Sequence, residues 1–179
     1  AQAIAVIIFT FYWTLEGEYI KNAFFMMLPL SKRSSTRELV QRIEQTVGGY
    51  LLGQGLLCLL IGVLAFIAYA LIGLPHALLL AVFAGLLEAV PIVGPFLGAV
   101  PAIIIGLSVS PVTGLWVVVA TIVIQQLENS LLVPRVMDRT IGIRPLVSLL
   151  ALVAFGSLYG ILGALIALPL AGVIQLLLD

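Results

Sequence analysis

The chain has 179 residues, 63% of them hydrophobic and 9% charged, where a soluble domain has roughly 45 to 50% apolar and about 25% charged residues. That composition excludes an ordinary water-soluble globule and makes an all-α integral membrane protein the expected fold class. Eight Lys and Arg balance eight Asp and Glu, so no basic field is left for phosphates and no nucleic-acid partner is expected, and a single cysteine, Cys58, excludes a disulfide framework or a cysteine-rich metal site.

Residues 1–15 read as a partial transmembrane helix, with Tyr12, Trp13 and Tyr19 where an interfacial aromatic belt would place them. Ala1 stands inside an apolar run with no initiator Met, basic n-region or small-residue cleavage site, so the expectation is a C-terminal piece of a longer protein rather than a signal peptide. Residues 16–49 read as a cytoplasmic loop and an amphipathic helix. Leu39, Val40, Ile43 and Val47 fall at helical spacing between Arg37, Glu38, Arg42 and Glu44, and Ser35 to Glu38 fits a capping box. That helix either lies on the membrane surface and runs into the next span, or packs on a segment outside this sequence.

No formal charge occurs between Glu44 and Glu88, between Glu88 and Glu128, or between Arg144 and Asp179, and each gap exceeds the roughly 20 residues that cross a bilayer as a helix. Runs such as Leu56 to Leu64 do not alternate as spanning strands would, so they are expected as helices or buried broken helices. Residues 50–108 read as a first span plus a broken hairpin. Tyr50 to Leu74 is long enough to cross, while His76 to Val90 and Phe96 to Leu107 are short and separated by Pro91, Gly94 and Pro95. Residues 112–179 read as a second span, a basic loop and a second broken hairpin, interrupted at Gly156, Gly160 and Gly163 and carrying Pro169 late as the first carries Pro101.

Lys32, Arg33, Arg37 and Arg42 precede the first unit, and Arg135, Arg139 and Arg144 lie inside the second. The positive-inside rule puts both clusters on the cytoplasmic side. Two spans and one returning hairpin between them satisfy that parity and make the units a possible inverted repeat, the arrangement that places a binding site at the bilayer midplane. Two hairpins that each cross fully satisfy it too.

The isolated carboxylates are the anomaly. A charged side chain at a helix centre costs about 2.5 to 3.5 kcal/mol on insertion scales. Glu88 stands directly before the Pro91–Pro95 break, and Glu128 shares a helical face with Gln125 and Asn129, next to Gln126. These are the candidate transport and coupling residues. A carboxyl buried among them could exchange a proton for a cation as its surroundings alternate; the structural alternatives are a salt bridge from Glu128 to Arg135 and hydrogen bonds from Glu88 to amides at the break. Pro91, Gly94, Pro95 and Gly98 either free backbone groups to hold a substrate or make a tight turn. His76, without a second histidine, is more simply interfacial.

Enzyme chemistry finds no support, so no catalytic residue is expected. The chain holds no H-E-x-x-H or G-x-x-x-x-G-K pattern, its aspartates are Asp138 and Asp179, and a hydrolase would have to pair His76 with a serine such as Ser157. No metal or cofactor is expected.

Glu88-Ala89-Val90-Pro91-Ile92-Val93-Gly94-Pro95, Gln125-Gln126-Leu127-Glu128-Asn129, Pro134-Arg135, Gly142-Ile143-Arg144-Pro145 and Gly160-Ile161-Leu162-Gly163 with Pro169 follow one another in an order and spacing that resembles the autoinducer-2 exporter family of bacterial membrane transporters. The resemblance covers essentially the whole chain, which looks like the C-terminal half of a member. It implies a multi-pass inner-membrane carrier without an ATPase, oligomeric and plausibly pentameric, that exports autoinducer-2 or exchanges Na⁺ or Li⁺ for H⁺. It also carries over Glu88, Pro91, Gly94, Pro95, Gln125, Gln126, Glu128 and Pro134 as functional positions, with Pro134, Gly160 and Gly163 among the expected breaks. Ile92 and Arg144, where His is common, depart from the family pattern without touching the carboxylates. A scaffold that moves nothing, with its glycines as helix contacts, is the reading from another class.

Overall fold

The computed structural model describes residues 2–91, 93–137 and 145–178 and is helical nearly throughout. Asp138, Arg139, Gly142, Arg144, Asp179 and Ile92 lie outside the described residues, so the expectations placed on them stay with the sequence. The helices are α1 (Gln2–Met27), α2 (Leu30–Ile72), α3 (Ala77–Leu87), α4 (Val93–Val109), α5 (Pro111–Leu127), α6 (Val133–Met137) and α7 (Pro145–Leu178), with a π-helical turn, Glu128–Leu132, joining α5 to α6. Two stretches, Leu30–Ile72 and Pro111–Met137, are long and apolar enough to cross a bilayer. The chain is an all-α membrane protein, and it divides into a unit of residues 1–44 and a unit of residues 45–179.

In the first unit, α1 runs on to Met27, so residues 16–27 are helix where a loop was expected. Pro29, with no amide to continue the ladder, ends it. The next helix starts at Leu30, where Lys32 N donates to the Pro29 carbonyl at 2.9 Å. Ser35 therefore lies a turn inside α2 and cannot act as its cap. Arg33 donates to the Met26 carbonyl at the end of α1 and to the Leu28 carbonyl just past it. Arg37 bonds Asn22 and sits over the Phe25 ring, 5.4 Å from its centroid. Lys21 joins Glu18 at 2.7 Å and Glu44 at 2.9 Å.

In the second unit many large apolar side chains face outward, and much of the inward surface is made of small residues. Along α2 the buried line is Gly53, Leu57, Ile61, Ala65 and Tyr69, while Leu52 and Leu71 are 78% and 83% exposed. The core joins Ala65 and Tyr69 of α2, Leu80, Ala81 and Ala84 of α3, Ala102 of α4 and Val117 of α5. Hydrocarbon solvates Leu as well as another Leu does, so small inward residues that let backbones approach are what hold membrane helices together. The α2 helix closes with the Gly73 amide on the Ala70 carbonyl and the Leu74 amide on the Tyr69 carbonyl, a Schellman cap that tucks Leu74 into this core. His76, in left-handed conformation at the start of α3, is exposed in the turn that follows. Ser110 caps α5, its Oγ accepting from Thr113 N at 3.0 Å, with Pro111 in the first helical position.

The α7 helix is a hairpin rather than one rod. Gly160 has φ 62° and ψ −140°, a backbone region essentially reserved for glycine. The two arms fold back so that Ala151 packs with Ala167 and Ala171, beside Val147, Leu152 and Phe155. Gly163 is buried where the returning arm meets the Phe155 carbonyl.

Replacing Gly160 with Ala forces an L-residue into that region and should destabilise the protein by about 1–3 kcal/mol, read as a fall in detergent melting temperature with no change at Gly156→Ala, where a Cβ meets nothing. The polar cluster of the first unit gives a pH prediction. Lys21 is raised above its ordinary pKa by its hydrogen bonds to Glu18 and Glu44, and Glu18 is lowered by its hydrogen bond to Lys21. The lysine contribution is therefore present below its unfolded pKa and lost as pH rises through the raised folded value; the glutamate contribution is present above its unfolded pKa and lost as pH falls through the lowered one. Melting temperature should drop at both extremes, and Lys21→Met should flatten both limbs.

Candidate functional site

The break between α3 and α4 follows from two prolines. Pro91 has no amide for the Leu87 carbonyl four residues back, which the Val90 amide takes instead at 2.9 Å. Pro95 falls in the first turn of α4, where amides have no helical partner anyway. Gly94 lies so close to the Leu87 carbonyl that any Cβ would collide with it. Gln54 of α2 reaches this break, its Nε2 donating to the Glu88 carbonyl at 2.6 Å.

Glu88 at the end of α3 and Glu128 at the end of α5 are 3% and 7% exposed, the two buried charged-type residues among those described. Their carboxyl groups lie within hydrogen-bonding reach of each other. An ionised carboxylate only accepts, so the two can bond each other only when one of them carries a proton. Gln125 supports the pair from one turn back, its Nε2 donating to Glu128 Oε2 at 2.8 Å. Together these bonds offset part of a desolvation cost of several kcal/mol per buried ion.

The π turn begins at Glu128. Pro134, expected as a break, is instead carried inside the helix that continues through α6. Its missing amide would have served the Ser130 carbonyl, and a π turn absorbs the extra residue without ending the helix. Arg135 donates to the Leu131 carbonyl at 3.3 Å, so its guanidinium is engaged with its own helix rather than with Glu128.

A cavity of about 430 Å³ opens against the carboxyl pair. Its polar wall consists of Tyr50, Gln54, Glu88, Gln125, Glu128 and Asn129, and its apolar wall includes Pro91, Pro95, Phe96, Met137 and Leu168. Of the sequence candidates, Glu88, Glu128, Gln125, Asn129, Pro91 and Pro95 thus meet at one place. Gln126 does not: it is exposed and lines a groove with Phe96, Val118 and Ile122, because adjacent helical residues point about 100° apart. Pro134, Gly160 and Gly163 are not among the lining residues. A second space of about 30 Å³ continues from the pair between Tyr69, Thr121, Ala99 and Ile124.

Tyr50 and Gln54 were missed by sequence reading. They stand one turn apart at the start of the α2 apolar stretch, and only their i,i+4 spacing beside Gly53 hinted at a shared inward face. The Tyr50 hydroxyl is buried with no hydrogen-bond partner, a state that costs roughly 1–3 kcal/mol.

A lipid-facing apolar exterior around an inward carboxyl pair and a polar cavity defines a class: helical membrane proteins built around an internal polar site. The family comparison then makes it particular. The family described as AI-2E family transporter matches residues 1–179, and the chain belongs to it. YueF, a candidate transport protein of Bacillus subtilis, is 36% identical over 96% of this chain and 47% of its own length. YrrI of the same organism, also a candidate transport protein, is 34% identical over 94% and 48%. The candidate permease PerM of Escherichia coli K12 is 29% identical over 96% and 49%. The chain therefore spans about half the length of the curated relatives it matches.

Substitution at Glu128 separates packing from charge. Glu128→Gln keeps hydrogen-bonding atoms toward Glu88 and Gln125 and should leave the melting temperature within about 3 °C of wild type. Glu128→Ala strands the Gln125 amide and should cost about 1–3 kcal/mol, measured by thermal unfolding in the same detergent.

Proposed function

We propose that the protein is a multi-pass inner-membrane secondary transporter that exports a small organic signal such as autoinducer-2, coupled to an ion through the Glu88–Glu128 pair. The observation that carries this reading is the cavity of about 430 Å³ set directly against two buried carboxyl groups. Its volume suits a small organic molecule, and its apolar wall beside six polar side chains suits one with both kinds of surface. Among the described residues the lining includes two carboxyls and no Lys, Arg or His, and the carboxyls disfavour an anionic cargo by like-charge repulsion. Proton-coupled transport needs a group that changes protonation as its surroundings alternate, and two adjacent buried carboxyls can act as such a group.

The two hairpins, α3–α4 and the arms of α7, each follow a long apolar helix, which supports the inverted-repeat arrangement used for alternating access. With Lys32 to Arg42 and Arg135 on the cytoplasmic side, the hairpins enter from opposite faces. A homo-oligomer, a pentamer in the family resemblance, is the assembly proposed.

Monovalent cation/proton antiport is the second reading, favoured by the space of about 30 Å³ beyond the pair. It holds one water-sized guest among the oxygens of Glu88, Glu128, Gln125, Tyr69 and Thr121.

The test is reconstitution of the full-length protein in liposomes, following labelled autoinducer-2 and Na⁺-driven proton movement in parallel. Saturable autoinducer-2 flux that falls at least about tenfold in Glu88→Gln and Glu128→Gln, equivalent to about 1.4 kcal/mol, is the expected result. Proton movement without that flux puts antiport first, and neither signal in well-folded protein leaves the scaffold.

A further inference from the structure

Two independent observations meet at Tyr50. Its side chain is part of the wall of the large cavity and is 5% exposed, and its hydroxyl has no hydrogen-bond partner. Gln54, one helical turn further along α2, stands in the same wall. Its Nε2 is committed to the Glu88 carbonyl, so its side-chain oxygen is the atom left for a guest. The wall at this end thus offers one donor and one acceptor, both uncharged, and no Lys, Arg or His stands among the described lining residues.

We infer that Tyr50 and Gln54 form the hydrogen-bonding subsite that recognises the cargo, the phenol donating to a hydroxyl or carbonyl oxygen and the Gln54 oxygen accepting from a cargo hydroxyl. This rests on the transport reading and narrows its substrate to an uncharged, oxygen-rich small molecule. Neutral groups hold such a cargo without engaging the carboxyl pair, so recognition and coupling fall to different residues of one cavity. An occupied subsite also gives the Tyr50 hydroxyl the partner it lacks, and a buried donor without one is uncommon in a folded protein. Sites built to hydrogen-bond a hydroxyl reject analogues that lack it far more strongly than apolar pockets reject an extra methylene, so the subsite is where specificity resides.

The experiment compares wild type and Tyr50→Phe in the full-length protein, by labelled autoinducer-2 flux in proteoliposomes and by thermal unfolding without cargo. The expected result is a KM raised about tenfold with kcat within about twofold, and a cargo-free melting temperature unchanged or higher, since phenylalanine removes an unpartnered hydroxyl. An unchanged KM overturns the subsite. So does a cargo-free melting temperature lowered by more than about 4 °C, which would show that the hydroxyl serves a structural partner. Absence of autoinducer-2 flux in the wild type brings down the export reading instead, and the thermal comparison then decides the subsite by itself: a fall overturns it and no fall sustains it.

Discussion

Two carboxyl groups buried beneath an apolar exterior set the terms for the rest of this structure. Neither Glu88 nor Glu128 can stay in such a place as a lone anion, because hydrocarbon returns nothing for the lost hydration. Each therefore meets the other, and Gln125 holds Glu128 from one turn back. That meeting joins the end of α3 to the end of α5, and it requires α3 to stop where it does. The prolines of the α3–α4 break, the π turn that starts at Glu128 and the Gln54 bond to the Glu88 carbonyl are all local solutions to bringing these ends together.

The same solvent inverts the usual relation between size and burial. In water, large apolar side chains would form the core; here many stand outside, and Gly98, Ala99, Ala102 and Gly106 of α4 face in. Close approach of backbones replaces hydrophobic exclusion as the cohesive term. It also makes room for polarity, since small residues around the core leave the cavity to be lined by longer polar ones. The hairpin in α7 repeats the theme with alanines, Ala151 against Ala167 and Ala171.

Chemically the cavity separates two kinds of polar group. Uncharged donors and acceptors from α2 stand at one part of its wall, and the carboxyl pair with its amide support stands at another. Within this unit the two kinds share a single space. Membership of the AI-2E family gives that arrangement its context, while the relatives reach about twice this length.

What the residues alone determined was the class. The charge-free runs allowed nothing but helices in a bilayer, because only helices and closed barrels satisfy their backbone without water and these runs do not alternate as barrel strands do. The breaks at Pro91–Pro95 and around Gly160 were legible for the same local reason, a missing amide and a conformation that only glycine adopts. Local patterns misled where a neighbouring constraint was stronger: Pro29 moved the start of α2 ahead of the Ser35 capping box, and the π turn let the helix carry Pro134. Which polar residues meet was decided by tertiary structure. Glu88 and Glu128 are 40 residues apart in sequence, Gln126 turns away from a site its neighbour supports, and Tyr50 and Gln54 belong to a helix whose pattern marked them as ordinary. Periodicity reports the face a residue occupies on its own helix. Only packing against the other helices says which faces close on the same cavity.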